Sequence, residues 1–251
     1  MIAIRACEGT AELDACVRLE LDTWGYDETE IIPRKTFFLA QKIGGQVLGA
    51  FEAKELIGFA LSLPGVKNVS GKPIPYLHSH MLAVKPAYRN QGVGAQLKRQ
   101  QRDEALERGI RLMEWTFDPL EIKNAFLNIH RLGVVCRSYR ANFYGVSSSR
   151  LQGGLPTDRL LAEWQLDSPR VQSILDGRAE AAWSVEERIQ VPAPMAQWKL
   201  DEKDRERALA VQMENRKKFE QAFARGLIVV GFNLDENGNG TYELSSAESS
   251  N

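Results

Sequence analysis

The chain has 251 residues, of which 43% are hydrophobic, enough for one large domain or for a medium domain with an extension. Lysine and arginine number 32 against 33 aspartates and glutamates, so the net charge of −1 gives no global field that would favour nucleic acid or an anionic membrane as partner. The amino terminus lacks the apolar core of a signal peptide, and no apolar run approaches the ~20 residues that span a membrane. We therefore expect a cytoplasmic protein.

The chain contains three cysteines, Cys7, Cys16 and Cys136. They are too few and too widely spaced for a disulfide framework or a zinc knuckle. We expect reduced thiols in the core and no bound metal.

Apolar periodicity predicts alternating helices and strands over the first two thirds of the chain. The predicted elements are a helix at 10–24 ended by Gly25, a hairpin at 46–63, a loop at 64–75, a strand at 76–84, a helix at about 91–108, a strand at 110–117, a helix before Gly133, and strands near 135–145 and 158–166. This order predicts a mixed α/β fold, with a central sheet flanked by helices.

An extension follows residue 166. A charged helix is predicted at about 201–224, with Leu209, Phe219 and Phe223 as its buried stripe, followed by two strands around an Asn-Gly turn. The tail at 246–251 has nothing to bury, and we expect it to be disordered.

The stretch 83–100, AVKPAYRNQGVGAQLKRQ, joins a strand to a helix through two glycines. A Walker motif needs Gly-Lys-Ser/Thr, and the dinucleotide pattern needs a third glycine where this chain has Leu97, so both fail. What remains is Arg89-x-x-Gly92-x-Gly94. Small residues let the backbone approach an anion, and the helix amino end adds partial positive charge, so a pyrophosphate would fit.

This stretch resembles the acetyl-CoA signature of the GCN5-related N-acetyltransferase (GNAT) superfamily, Q/R-x-x-G-x-G/A after a strand that ends in an apolar-Ala-Val. The resemblance implies a GNAT fold over 1–166. The helix-plus-hairpin extension at 167–245 is expected to pack on it, because its strand LIVVGF is apolar throughout. The resemblance also implies that acetyl-CoA or another acyl-CoA is the cosubstrate. The implied cofactor residues are Leu82, Ala83 and Val84, whose backbone would pair with the pantetheine amides, and Arg89, Asn90, Gln91, Gly92, Val93, Gly94 and Ala95 around the pyrophosphate.

His78 and His80 lie two residues apart in the strand before this turn, so both imidazoles are predicted to lie on one face. The stretch HSHMLAV is similar to the strand of arylalkylamine N-acetyltransferases in which a His-x-His pair relays protons from the amine. Deprotonating an alkyl ammonium near neutral pH costs on the order of 4 to 5 kcal/mol, and an imidazole can accept that proton. The alternatives are a structural pair or half of a metal site, and Glu114 is a minor candidate for the base.

The chain departs from the superfamily where a helix tyrosine usually protonates the departing CoA thiolate. The matching position here is Ile129. Tyr139 or Tyr144 on the following strand could replace that tyrosine, with His130 as a lesser candidate, or the thiolate could leave unassisted because its pKa is near ~8.5.

A further resemblance, carried by FDPLEIKNAFLNIHRLG, YRANFYG and PTDRLLAEW, is to a GNAT branch linked to N-acylation, including N-succinylation, of amino acids. It implies that a carboxylate is clamped, with Arg140, Arg150 and Arg159 as candidates. Acetyl-CoA and succinyl-CoA both stay open as donors.

The sequence therefore predicts an acyl-CoA-dependent N-acyltransferase that acts on a small amine or amino acid by direct attack in a ternary complex. The alternatives are a non-catalytic acyl-CoA-binding sensor or structural protein, and a protein-lysine acetyltransferase. The expected partner is a small molecule, without nucleic acid or membrane, and the protein is expected to be a monomer or homodimer.

Overall fold

A computed structural model describes residues 1–178 and 183–246, and the chain divides into two compact units, Met1–Trp115 and Thr116–Asn251. The strands are β1 Ile2–Ala6, β2 Gln46–Glu52, β3 Glu55–Val69, β4 Lys72–Val84, β5 Leu112–Phe117, β6 Val135–Arg140, β7 Arg159–Gln165, β8 Glu187–Val191, β9 Leu227–Leu234 and β10 Gly240–Ser246. The helices are α1 Gly9–Trp24, α2 Arg34–Lys42, α3 Val93–Glu107, α4 Ile122–Ala125, α5 Pro169–Leu175, α6 Met195–Leu200 and α7 Arg205–Ala224. The predicted mixed α/β class is confirmed.

The strands of the first unit lie in the order β1-β2-β3-β4-β5. Neighbouring strands pair antiparallel, except that β4 and β5 run parallel. The last two residues of β5 fall in the second unit. Left-handed glycines end two of the flanking helices, because Gly25 follows α1 with φ 65° and Gly109 follows α3 with φ 73°. Both helix ends agree with the sequence prediction.

The two faces of this sheet carry separate apolar cores. One face packs Phe59, Met81 and Ala83 against α1 and α2, and buries Cys7 and Cys16 with them. The other face packs its strands against Val93 and Leu97 of α3. Cys136 is also buried, and all three cysteines are free thiols, as predicted.

The segment 64–75, predicted as a loop, is instead the end of a long β3–β4 hairpin. Its turn is Ser70-Gly71, with φ 51° and 81°, and β3 pairs with β4 out to Val69 and Lys72. Two residues with positive φ match the right-handed twist of the flanking strands, which outweighs the prolines of this segment. The end of this hairpin is exposed to solvent, and Val66 within it is 73% accessible.

In the second unit, strands β6 to β10 lie in the order β7-β6-β9-β10-β8, and neighbouring strands pair antiparallel. The long helix and the Asn-Gly hairpin are confirmed, with Gly238 at φ 80°. The predicted stripe of α7 is partly wrong. Phe219 is fully buried, whereas Leu209 is 38% exposed and Phe223 is only half-buried. Ala208, Gln212 and Asn215 occupy the buried face instead, because small and hydrogen-bonded side chains let the helix approach the strands.

The predicted tail at 246–251 lies outside the described residues, apart from Ser246, which ends β10. The boundary predicted at residue 166 stays a prediction. Among the described residues, no helix is long and apolar enough to cross a membrane.

Candidate functional site

The turn that opens α3 leaves several backbone amides without an acceptor in the helix itself. Asn90 and Gly92 have φ of 62° and 80°, and Gly92 caps the helix without a side-chain hydrogen bond. The first helical bond is donated by Gln96 N to Gly92 O at 3.0 Å, so the N–H groups of residues 93–95 have no acceptor within the helix. Together with the helix dipole, these donors form an anion-binding concavity.

Two side chains of the predicted cofactor segment brace this turn. Arg89 Nε donates to Val84 O at 2.9 Å, and Gln91 Nε2 donates to Ala87 O at 2.8 Å. The turn is thus held in shape by its own side chains, and its residues 89–92 are exposed to solvent.

The strand before the turn has one edge without a strand partner. β4 pairs with β3 along its whole length, but its parallel ladder with β5 covers only Leu77–Met113 and His78–Glu114. Beyond His78, the edge of β4 that does not face β3 is therefore free of strand pairing in the described part of the chain. A free edge of this kind can bind an extended ligand through main-chain hydrogen bonds.

His80 occupies a β-bulge in β4. Leu61 pairs with Met81 and Ser62 pairs with Ser79, which leaves His80 without a partner residue on β3. The bulge reverses the alternation of side chains, because Ser79 contacts α3 whereas Met81 packs with α1 and α2. Bulges of this kind redirect a side chain beside a binding site.

The two imidazoles lie close together, with ring centroids 6.1 Å apart. Desolvation lowers the pKa of His78 to about 4, with smaller contributions from His80 and Lys98. Desolvation also lowers the pKa of His80. Near neutral pH both rings are neutral, so each has a lone pair that can accept a proton.

Glu114, the minor candidate for the base, is the cross-strand neighbour of His78 on β5. Its side chain is 8% exposed and forms an ion pair with Lys67. The carboxylate of Glu114 is therefore already engaged by the ammonium of Lys67.

At the helix position where the superfamily usually has a tyrosine as general acid, this chain has a buried isoleucine. Ile129 is fully buried within a π-helical segment, Phe126–Arg131, that continues α4. The aliphatic side chain at this position cannot act as a general acid.

The tyrosines proposed in its place have different surroundings. Tyr139 is 8% exposed, and its hydroxyl donates to Asp158 at 2.5 Å. Burial and this carboxylate raise the pKa of Tyr139 far above its ordinary value. Tyr144 is 48% exposed, and its hydroxyl shares a hydrogen bond of 2.8 Å with Thr116 Oγ1.

Two of the three arginines predicted to bind a carboxylate are direct cross-strand partners. Arg140 on β6 lies opposite Arg159 on β7. Arg159 donates to Gln152 Oε1 at 3.1 Å, and its guanidinium lies 5.4 Å from the Tyr144 ring centroid. Like charges directly opposite one another in a sheet are unfavourable unless an anion joins them.

A buried lysine was missed by the sequence analysis. Lys98 of α3 is 2% exposed, and its ammonium contacts Ser79 of β4. Helical spacing could have indicated its burial, because Lys98 lies three residues before the buried Gln101 and seven before the buried Ala105 and so shares their helix face.

Predicted site residues from β4 and α3, His78 through Ala95, thus lie together in the first unit. Tyr139, Tyr144, Arg140 and Arg159 belong to the second unit. Among the described residues, no group of three or more metal-binding side chains is found.

Comparison with known proteins gives one family. The model of the acetyltransferase (GNAT) family matches residues 13–127. This region includes the turn, both histidines and Glu114. No curated protein sequence matches the chain.

Solved structures share the fold at low sequence identity. The ribosomal-protein-S18-alanine N-acetyltransferase of Escherichia coli is 20% identical with a TM-score of 0.50, covering 67% of this chain and 96% of its own. The yncA protein of Salmonella typhimurium, solved with its cofactor acetyl-CoA, is 19% identical with a TM-score of 0.54, covering 66% and 95%. An N-acetyltransferase of Staphylococcus aureus Mu50 is 16% identical with a TM-score of 0.51, covering 66% and 99%.

Proposed function

The chain belongs to the GNAT superfamily of acetyltransferases, and on that premise we propose that it is an acyl-CoA-dependent N-acyltransferase for a small amine or amino acid. The observation that carries the proposal is the left-handed turn at Asn90 and Gly92, which opens α3 directly after the free edge of β4. The turn suits a pyrophosphate, and the free edge suits an extended amide-containing arm. Coenzyme A carries both groups.

In this proposal the amides of residues 90–95 hold the pyrophosphate, and the backbone of Leu82, Ala83 and Val84 holds the pantetheine arm. Val84 O already accepts from Arg89, so the guanidinium fixes the carbonyl at the junction of arm and pyrophosphate. A relative of the same fold was solved with its cofactor acetyl-CoA, which supports acetyl-CoA as a donor. Succinyl-CoA stays a second candidate.

His78 and His80 are proposed to take the proton from the acceptor ammonium. Both imidazoles are neutral near neutral pH, because desolvation lowers the pKa of the half-buried His78 to about 4 and also lowers the pKa of His80, whose residue is exposed. A base of such low pKa is weak, so the proton passes onward through water rather than resting on the ring. The free amine then attacks the thioester carbonyl directly. One N–C bond forms, the C–S bond breaks, and the thiolate leaves.

Tyr144 is the better candidate of the two tyrosines for protonating the thiolate. Tyr144 is 48% exposed, and its hydroxyl is hydrogen-bonded to a neutral threonine. The hydroxyl of Tyr139 instead donates a hydrogen bond to the buried Asp158, which also accepts from Arg216. Tyr139 is therefore part of a structural network.

Arg140 and Arg159 are proposed to bind the carboxylate of an amino-acid acceptor. The two side chains are opposed across β6 and β7, and the described residues place no carboxylate in an ion pair with either. A carboxylate between them would relieve the repulsion and accept several N–H bonds.

The test is a thiol-release assay with acetyl-CoA and succinyl-CoA against D- and L-amino acids and simple amines. Release that depends on one acceptor class supports the proposal and names the acceptor. If acyl-CoA binds by calorimetry but no acceptor gives release, the protein is instead an acyl-CoA sensor, a function that Ile129 in place of the helix tyrosine would suit.

A further inference from the structure

Lys98 is a buried cation without an opposite charge. Its side chain is 2% exposed on α3, and the described residues give it no ion pair. Burial lowers the pKa of Lys98 well below its ordinary value. A buried lysine of this kind is costly to the fold, so its contacts indicate what it does.

The ammonium contacts both β4 and β5 just beyond the point where their pairing ends. Lys98 Nζ donates to Ser79 Oγ of β4 at 2.6 Å and lies 3.5 Å from the ring centroid of Trp115 on β5. The last paired residues of these strands are His78 and Glu114. Ser79 and Trp115 are therefore the first residue of each strand beyond the last rung of the ladder.

Further hydrogen bonds fix this cluster to α3. Ser79 Oγ donates to Gln101 Oε1 at 3.1 Å, and the Gln101 carbonyl accepts from Gln46 of β2 at 3.0 Å. Gln101 Nε2 is buried without a partner. The lysine thus extends from a helix that is itself tied to the sheet.

We infer that Lys98 is a positioning residue that holds β4 and β5 apart where the arm of acyl-CoA enters between them. The inference rests on the proposed function, because the opening matters only if a ligand occupies it. Two parallel strands with free edges gain hydrogen bonds by closing to about 4.8 Å, which would leave no room for an extended arm. One ammonium bonded to a hydroxyl on β4 and to an aromatic face on β5 sets the separation at the point of divergence.

The same ammonium influences the imidazole next to Ser79. The charged and titratable groups around His78 are His80 on β4, Lys98 on α3, and the Glu114–Lys67 ion pair from β5 and β3. Lys98 contributes to the lowered pKa of His78. Removing the lysine is therefore expected to raise that pKa towards its ordinary value.

The test compares Lys98→Met with Lys35→Met, which changes an exposed lysine of α2 in the same way. Methionine keeps the length of the stem and removes the hydrogen bond. We expect Lys98→Met to raise KM for acyl-CoA about tenfold and to lower kcat by up to about 100-fold, because a misplacement of about 1 Å has that effect. Histidine NMR titration should show a higher pKa for His78 in this variant, and Lys35→Met should match the wild type in every readout.

A residue that is only structural would lower the free energy of unfolding and leave KM, kcat and the His78 titration of the folded protein unchanged. That result would overturn the inference. If Lys98→Met does not fold, Ser79→Ala breaks the same link with a smaller change, and wild-type kinetics and titration in Ser79→Ala would overturn it equally. If both variants fold, the double variant should be no worse than Lys98→Met alone, since the two changes remove one contact.

Calorimetry of the wild type with acetyl-CoA distinguishes the two levels of the proposal. Binding by the wild type together with unaltered behaviour of Lys98→Met contradicts the positioning role alone. Absence of binding by the wild type contradicts the proposed function, and the positioning role with it.

Discussion

Two buried charges of the second unit lie against opposite charges, whereas two buried ionisable groups of the first unit do not. Lys199 lies 2.7 Å from both Asp118 and Glu121, and the fully buried Asp158 accepts two hydrogen bonds from Arg216. Lys98 and Glu20 of the first unit are buried without an opposite charge in the described residues.

The difference separates two uses of buried charge. A paired buried charge maintains a specific arrangement of elements and keeps its ordinary protonation state. An unpaired one shifts its pKa, and such groups concentrate at functional sites. In the first unit the pKa of His78 is lowered to about 4 and that of Glu20 is raised to about 7, both chiefly by burial. The comparison therefore predicts that breaking the paired charges of the second unit costs stability, whereas changing the unpaired groups of the first unit alters function or the pH dependence of stability.

The largest functional effect is expected from His78→Ala combined with His80→Ala. Turnover should fall by about 10² to 10⁴-fold, because the acceptor ammonium loses its proton acceptor, while acyl-CoA affinity is kept. The acid limb of the rate profile should move to higher pH, since solvent must then deprotonate the amine. His130→Ala, which changes the remaining histidine of the chain, is the control. Unchanged turnover in the double variant would make the pair structural.

The largest stability effect is expected from Asp158→Asn in the second unit. Asp158 is fully buried and accepts hydrogen bonds from Arg216 and Tyr139. Because the variant leaves the guanidinium of Arg216 without an opposite charge, the free energy of unfolding, measured with denaturant, should fall by about 3–5 kcal/mol. Asp176→Asn breaks an exposed pair with Arg178 and should cost at most about 1 kcal/mol. Equal costs for the two variants would contradict the distinction between buried and exposed pairs.

Glu20→Gln should stabilise the first unit in mild alkali. Glu20 accepts from Ile32 N, its second oxygen has no partner, and burial raises its pKa to about 7 from 4.5. The folded protein holds this proton more tightly than the unfolded chain, so stability is full below the unfolded pKa and is lost as pH rises through the folded one. Glutamine keeps one acceptor for the N–H of Ile32. The free energy of unfolding of Glu20→Gln should therefore exceed that of the wild type by on the order of 3 kcal/mol at about pH 8. A pH-independent difference from the wild type between these two pKa values would argue against the shift.

The smallest effect is expected from Tyr144→Phe. If Tyr144 protonates the thiolate, kcat should fall only about tenfold, because a thiol of pKa near ~8.5 is already a fair leaving group. Tyr139→Phe should instead lower stability by about 1–3 kcal/mol, since it leaves Asp158 with one donor fewer. An exchange of these two outcomes would reassign the proton donor.

The local features of the site could be predicted from the sequence. The left-handed conformation at Gly92 and the helix ends at Gly25 and Gly109 follow from properties of glycine that act within a few residues. The His-x-His spacing likewise indicated that the two imidazoles lie close together, and their ring centroids are 6.1 Å apart.

Features set by distant partners could not be predicted. The bulge at His80 depends on the register between β3 and β4, and strict alternation along β4 gave no sign of it. Lys98 lies in a polar run, QLKRQQRDE, whose composition favours an exposed helix, and only packing of α3 on β4 buries it. The exposure of Leu209 has the same cause, because the strands that α7 contacts decide which of its faces is covered.

The central claim is that the turn at 89–95 binds the pyrophosphate of acyl-CoA. It is tested most directly by calorimetric titration of acetyl-CoA into the wild type and into a Gly92→Val, Gly94→Val variant, with Gly71→Val as the control for a left-handed glycine in the hairpin turn. Valine at Gly92 is strained at positive φ, and its bulk keeps the backbone from approaching the phosphates. We predict saturable binding by the wild type and the control, and none by the double variant. Equal affinity in all three proteins would contradict the assignment of the turn.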